Sequence, residues 1–402
     1  MEIRPILSAM LRNKTGAILV ALQIAITLAV VTNAVFIINQ RLDKIGRPNG
    51  MDSDNLIFIQ SFGFAPGYNH HNTIREDLIL LRSHPGVIAA SPINAIPLSG
   101  GGSATGYRTR PGGEEVPDEQ GNYYEVDEQA LDALGVKLVA GRKFSPDIIE
   151  FQTGPTSKMV PEVIMTRAMA KAMFDTEDVL GKKVYDSLGQ SATIVGVIDQ
   201  MLGAWVNWDK LPHVVFHPVV GQGPLTRYVV RTHPGQQARV MKELETKLGD
   251  SNRTRVIDYV RDHKQFITRS YKSDTRMAVL LGSLIALLVT MTALGIVGLA
   301  SFSVNARVKQ IGTRRAVGAR RIDILRYFML ENWLLTTAGV VVGTVLAFAF
   351  SYWLSSAFEL PKLSPMYVGV GVIAMWVIGL LAVLVPAQRA ASVPPAIATR
   401  TV

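Results

Sequence analysis

The stretch GAILVALQIAITLAVVTNAVFII, Gly16 to Ile38, runs for 23 residues without a charge. A bilayer core about 30 Å thick needs roughly 20 helical residues, whereas an apolar run of about 10 to 14 is more typical of a soluble core. Its polar members, Gln23, Thr27, Thr32 and Asn33, are residues a membrane helix carries by bonding to a neighbour or to its own backbone. The run is longer than the roughly 7 to 15 apolar residues of a secretory signal, and no clean A-x-A-like site follows it. It reads as a retained transmembrane helix. Three later runs reach the same length with charges only at their margins, which places spans at 16–40, 277–304, 327–357 and 366–386. The expected fold class is therefore a membrane protein. Four transmembrane α-helices carry a large mixed α/β extracytoplasmic (periplasmic) domain, 41–276, between the first and second helices.

Charge sets the expected orientation. The net charge of +9 would suit nucleic acid if it were spread over a soluble face, but between Arg41 and Arg276 the 28 Lys and Arg balance 28 Asp and Glu. The excess sits at Arg4, Arg12 and Lys14, at Arg307, Lys309, Arg314, Arg315, Arg320, Arg321 and Arg326, and at Arg389 and Arg400. Short basic segments stay on the cytoplasmic side, and long domains cross largely regardless of charge. The N-terminus (1–15), the loop 305–326 and the tail 387–402 are thus expected in the cytoplasm. The segment 41–276 and the turn 358–365 lie outside. Nucleic acid is not an expected partner; membrane lipid is. The chain has no cysteine, which removes disulfides, thiolate chemistry and Cys-type metal sites.

The outer segment reads as short α/β units. A strand at Asn55–Gln60, a helix at Thr73–Ser83 and a strand at Val87–Ala90 form one βαβ-sized set, and RYVVR at 227–231, a helix at about 236–248 and a strand near 254–257 repeat the order. A porter-like part at about 45–105 and 220–272 is expected to carry an inserted subdomain at about 106–219. The insertion holds a helix at Arg167–Phe174 and strands at Ala192–Ile198 and His213–Phe216. No Pro or Gly separates Arg261–Arg276 from the second span, and Asn39–Ile45 follows the first without a breaker, so both connections are expected to be helical stalks.

After the second span the chain reads RVKQIGTRRAVGARRIDILRYFMLEN, Arg307 to Asn332. This resembles the R-x-x-E-I-G-x-x-R-A-x-G-A signature of the MacB/FtsX-like permeases of ABC transporters at Arg307, Ile311, Gly312, Arg315, Ala316, Gly318 and Ala319. Glu331 is similar to an acidic residue usual at the start of the third span, and Gln310 departs from the family's Glu. ALDALGVKLVAGRKF (130–144), PEVIMTRAMAKAMF (161–174), TIVGVI (193–198) and PAQRAASVPPAIATR (386–400) resemble further family segments in the same order. The resemblance implies that the loop, with Lys309, Arg314 and Arg320 among its basic residues, is a coupling helix for a separate ATP-binding subunit present in two copies. A second permease copy, identical or homologous, is also implied. So is mechanotransmission, in which ATP hydrolysis on the partner moves the outer domain for export of peptides, antibiotics or lipids, with a membrane-fusion adaptor as a further partner. The alternative is an FtsX-like regulatory device acting on a cell-wall hydrolase or sensor kinase.

The residues themselves agree with a separate ATPase, since G-x-x-x-x-G-K-[ST] occurs nowhere in the chain. The chain is not expected to be an enzyme alone, nor to bind a cofactor or metal; ATP and Mg²⁺ belong to the partner. Basic residues at the inner face are expected from topology, at about 1 kcal/mol each against anionic lipid. Topology does not account for two glycines and for Ile311 and Val317 among the charges, which an amphipathic helix docked on a partner would explain. His213 and His217 form H-x-x-x-H, but the prolines on either side argue for a strand, across which four residues span about 13 Å, too far to share one ion. His70 and His71 read as a solvated loop, and Gly100–Gly102 as a loop without the lysine of a phosphate site. Gly339 and Gly343 are spaced G-x-x-x-G, a candidate for close helix packing or for a subunit interface. The topology predicts that, in intact cells, a single cysteine at Gly112 reacts with an impermeant thiol reagent and one at Gly318 does not; labelling at Gly318 would overturn it.

Overall fold

The computed structural model describes residues 14–112, 115–153, 159–358 and 361–394. Arg4, Arg12 and Arg400 lie outside them. The chain divides into two units, one from the residues up to Gly46 together with Ser273 onward, the other from Arg47–Lys272. In chain order the helices are α1 (Lys14–Ile45), α2 (His70–Arg82), α3 (Ala130–Leu134), α4 (Arg167–Phe174), α5 (Gln237–Ser251), α6 (His263–Ser270), α7 (Lys272–Ala306), α8 (Val308–Ala316), α9 (Arg321–Phe358) and α10 (Pro365–Ala391).

Of these, α1, α7, α9 and α10 are long and apolar enough to cross a membrane. In hydrocarbon each must satisfy its backbone internally, and the polar side chains follow suit: Thr32 Oγ1 donates to Leu28 O at 2.7 Å within α1. α1 is the most enclosed, with Val20, Ile24 and Leu28 buried among Leu335 and Val340 of α9 and Met375 of α10. Glycines permit this approach. A Cβ on Gly339 would lie 2.8 Å from Ala21 O and one on Gly343 2.9 Å from the Ala25 Cα, while one on Gly371 of α10 would meet Thr32 at 2.4 Å. Asn33 Nδ2 then donates across to Ala347 O at 3.1 Å. Gly339 and Gly343 are therefore spent on packing within the chain, and the subunit-interface use is displaced because α1 covers their face. By contrast α7 buries only Asp274, Thr292, Ile296 and Val304. It touches α1 through the Thr27–Thr292 hydroxyl pair at 2.7 Å and through Asp274, paired with Arg41 and Lys44, and leaves Leu280, Leu287, Met291, Leu294 and Phe302 exposed.

The second unit is built on a four-stranded sheet of β1 (Leu56–Gly63), β2 (Val87–Pro92), β12 (Leu225–Thr232) and β13 (Arg255–Asp262), in the order β13-β1-β12-β2. The two β-α-β sets predicted from sequence do form, but neither closes on itself. β12 lies antiparallel between β1 and β2, and β1 lies between β12 and β13, so the sets interleave as a split βαβ. Alternation assigns the faces. Ile57, Ile59 and Val230 pack under α2 and α5 with Ile74, Leu78, Leu81, Val240, Leu244 and Leu248, while Leu56, Phe58 and Val229 enter a core shared with the inserted part. Under α2, Arg255 Nη2 donates to Asp77 Oδ1 at 2.7 Å and Tyr228 Oη to Asp77 Oδ2 at 2.7 Å, a buried pair completed by a hydroxyl.

The insertion contributes β3 (Ala104–Tyr107), β4 (Glu119–Glu125), β5 (Leu138–Gly141), β7 (Glu162–Thr166), β8 (Lys183–Tyr185), β9 (Ser191–Ile198) and β10 (Val214–His217) to a seven-stranded sheet in the order β3-β4-β10-β7-β9-β5, with β8 paired to β9. The pair β6 (Glu150–Thr153) and β11 (Val219–Gln222) runs beside it as a separate ladder. His217 lies in β10 with Nε2 2.8 Å from Tyr107 Oη, and His213 Nδ1 lies 2.8 Å from Glu119 Oε1, so the two rings have different partners. Burial holds the His217 ring neutral, its pKa lowered to about 4.

Two local expectations change. His70 and His71 open α2 instead of sitting in a loop, because the Asn69 side chain caps the helix by accepting from Asn72 N at 3.0 Å; His71 then stacks edge-on with Phe151, centroids 4.5 Å apart. The stalk expected over Arg261–Arg276 is interrupted. β13 pairs with β1 through Asp262, whose side chain then caps α6 by accepting from Gln265 N at 2.7 Å, and a break at buried Tyr271 separates α6 from α7.

The packing of α1 predicts that Gly343→Leu lowers the thermal stability of the detergent-solubilised chain, by about 1–3 kcal/mol or more, since the new side chain meets backbone. Gly369→Leu, with nothing within 4 Å of its Cβ position, should leave it unchanged. Equal behaviour of the two variants would sink this account of the helix contacts.

Candidate functional site: a basic loop helix on the bundle

Between α7 and α9 the chain folds into α8, preceded by Arg307 and closed by Val317 and Gly318. Gly318 has φ +103°, a conformation that side chains with a Cβ rarely adopt, and its amide donates to Arg315 O at 3.2 Å. The reversal starts α9: Arg320 N donates to Asp323 Oδ2 at 3.0 Å, a carboxylate placed where the free amides of a helix start need one. The strained φ makes Gly318 a poor position for a cysteine reporter; Val317, 85% exposed, is the better one.

Three inward-turned side chains, Arg307, Ile311 and Arg315, tie α8 to the bundle, and the exposed Arg314 adds a further contact. Arg307 makes a two-pronged pair with Glu331, Nη1 to Oε2 at 2.9 Å and Nη2 to Oε1 at 3.1 Å, and Nη1 also donates to Tyr327 Oη at 3.3 Å. Ile311 is buried among Val304, Ile324, Phe328, Ala387, Ala390 and Ala391, with Gly312 buried beside it. Arg315 Nη1 donates to Ala391 O at 3.0 Å and Val393 O at 2.9 Å, where α10 ends and its carbonyls lack helical partners. Arg314 lies over the Tyr327 ring, 5.1 Å from its centroid.

The helix thus has two faces. Arg307, Ile311, Gly312 and Arg315 turn inward; Lys309, Gln310, Thr313, Arg314, Ala316 and Val317 are exposed, with Gly318 and Arg320 exposed after them and Ala319 half-buried. Ile311 is consumed inside the chain, so the expected apolar anchor for a partner reduces to Val317. The structure brings Arg307 and Glu331 together across 24 positions; Gln310 lines a small pocket beside Arg307 and Tyr327, while Lys309 and Arg320 are exposed. Sequence reasoning missed Tyr327, Phe328, Ala387, Ala390 and Ala391. The alanine spacing of three and four in 387–391 was the available signal, since it places small residues on one helix face.

Residues 17–247 match the MacB-like periplasmic core domain and residues 282–395 the FtsX-like permease C-terminal region. The chain belongs to the MacB/FtsX-like ABC transporter permease family. It is 27% identical over 352 residues to the macrolide export ATP-binding/permease protein MacB of Neisseria gonorrhoeae, a match covering 85% of this chain and 51% of that protein. It is 24% identical over 281 residues to the uncharacterized ABC transporter permease YknZ of Bacillus subtilis, covering 68% of each. Among solved structures, the periplasmic region of MacB from Actinobacillus actinomycetemcomitans aligns at 16% identity with a TM-score of 0.34, covering 54% of this chain and 92% of that one. The chain spans about half the length of the first curated relatives it matches. In this MacB/FtsX-like chain, α8 and its contacts with α9 and α10 lie within the permease match.

The Arg307–Glu331 contact predicts charge-reversal behaviour. Arg307→Glu and Glu331→Arg alone should each lower the melting temperature of the solubilised chain, and the double reversal should recover part of the loss, a coupling of about 0.5–3 kcal/mol. Additive losses would show that the pair is not an energetic contact.

Proposed function

We propose that the chain is the transmembrane subunit of an ABC exporter of the bacterial inner membrane, with both termini and α8 in the cytoplasm and the 47–272 unit outside. The outward face of α8, carrying Lys309, Gln310, Arg314, Ala316, Val317 and Arg320, receives a separate ATP-binding subunit that holds the ATP and Mg²⁺. The observation that carries this reading is the three-point anchoring of α8. A basic surface helix bonded to α9 by Arg307, to the end of α10 by Arg315 and to the core by Ile311 moves only with the bundle, so a push on its outer face reaches the membrane helices. Two ATPase copies require two such loops, hence two permease copies, and the broad exposed apolar face of α7 supports a second copy or lipid there.

The motion is mechanotransmission: ATP-driven closure of the partner subunits displaces α8, and the bundle passes the displacement to the outer unit. MacB relatives named for macrolide export support an exported cargo of the antibiotic, peptide or lipid kind, handed on with an adaptor. Lys309→Glu, Val317→Asp and Arg320→Glu together, three exposed positions that leave the Arg314–Tyr327 contact in place, should abolish retention of the co-expressed ATPase on the purified chain while leaving its melting temperature unchanged. Retention of the ATPase by that triple variant would refute the docking face.

A further inference from the structure

One face of the four-stranded sheet leaves the core and continues into the open. Leu56 and Phe58 of β1 and Val229 of β12 are buried on it; two positions further on, Gln60 and Arg227 emerge, joined by Tyr259 of β13. Gln60 Oε1 accepts from Arg227 Nε at 2.7 Å and from Tyr259 Oη at 2.9 Å, and Arg227 Nη1 donates to Asn94 O at 2.5 Å. The bonds fix Arg227 at the wall of a cleft of about 570 Å³, which Arg261, Arg269, Tyr259, Phe266 and the loop 99–103 complete. Among the described residues no carboxylate lines it. Arg261 lies over the Tyr259 ring, 4.9 Å from its centroid. Ser270 Oγ, buried with no hydrogen-bond partner among the described residues, is 4.0 Å from the position a Cβ on Gly100 would take.

The same face then turns apolar. Phe62 pairs with Leu225 on one side and Val256 on the other, and the three are 46%, 40% and 54% exposed, a row across three strands about 7 Å beyond Gln60 and Arg227. Three guanidiniums line one cleft and repel one another; the carboxylate of Asp258 is joined to them only through Gln60, whose Nε2 donates to its Oδ2 at 2.7 Å, and it is not part of the lining. The planar guanidinium forks match the oxygens of phosphate, sulfate or carboxylate.

We propose that this cleft binds the anionic headgroup of an amphiphile whose apolar portion lies along Leu225, Phe62 and Val256. Charge complementarity selects the head, and the adjoining row selects a ligand with a tail over a free anion. The proposal rests on the export reading for its biological sense, because it names the class of cargo; the binding itself needs no ATPase.

The test uses the full chain in phosphatidylcholine nanodiscs, without ATP or partner. The probe is dodecyl phosphate bearing a diazirine, used below its micelle concentration beside the same chain ended by trimethylammonium, with cross-links mapped by mass spectrometry. The phosphate probe should label residues 56–63, 225–232 and 255–262 with half-saturation roughly tenfold lower than the cationic probe. Arg261→Gln with Arg269→Gln should erase that preference, the corresponding Lys double variant should keep part of it, and unaltered melting temperatures identify folded variants. Equal labelling by the two probes, or a preference unchanged in the Gln variant, overturns the proposal. Inorganic phosphate competing as well as unlabelled dodecyl phosphate overturns it too, in favour of a free-anion site. Loss of ATPase docking with labelling intact would fault the export reading and leave the ligand class standing.

Discussion

The close approach of α1 to α9 is the constraint on which the membrane unit depends. It exists because Gly339 and Gly343 present bare backbone to Ala21, Ile24 and Ala25, so that two helices with no hydrophobic driving force between them in lipid gain packing contacts in its place. The Asn33 amide can then reach Ala347 O, and Gly371 admits Thr32 on the other side. With α9 and α10 held against α1, the ends of those two helices form the seat for Ile311 and the acceptors for Arg307 and Arg315. The surface helix inherits its rigidity from a contact made well inside the bundle.

α7 sits outside that economy. It shares the Thr27–Thr292 pair and the Arg41–Asp274 and Lys44–Asp274 ion pairs with α1 and buries Ile296 and Val304, yet among the described residues most of its apolar surface stays uncovered. A helix so little committed can shift against its neighbours at small cost in broken contacts, and it precedes α8 directly through Arg307. The 47–272 unit works by the opposite logic. Interleaved β-α-β sets and a shared core make it a single packed body, and the buried Asp77 carboxylate keeps its charge satisfied by Arg255 and the Tyr228 hydroxyl.

Much of this was legible in the chain. Four uncharged runs of bilayer length, the strands read at 55–60, 192–198 and 227–231, and the helices read at 167–174 and about 236–248 follow from periodicity that local sterics and burial both obey, and each overlaps an element that forms. The loop residues Arg307, Ile311, Gly312, Arg315 and Gly318 were visible as a motif. Their division into an inward and an outward set was not, because Ile311 looks the same in sequence whether it packs on its own bundle or on a partner. His70 and His71 were misread since Asn69, their cap, signals a turn as readily as a helix start. The stalk at 261–276 was misread since nothing local marks β13 as pairing with β1.

What the sequence determined by itself is the set of elements and their solvent: length against bilayer thickness, charge against topology, and alternation against sheet face are properties of neighbours a few positions apart. Only the tertiary structure decided which partners those elements take. Gly339 and Gly343 turned from a candidate interface into an internal seam, Arg307 met Glu331, and Arg227, Arg261 and Arg269 converged on one cleft. Contacts between residues distant in the chain carry no local period, so they are set by the packing of the whole and can be read nowhere else.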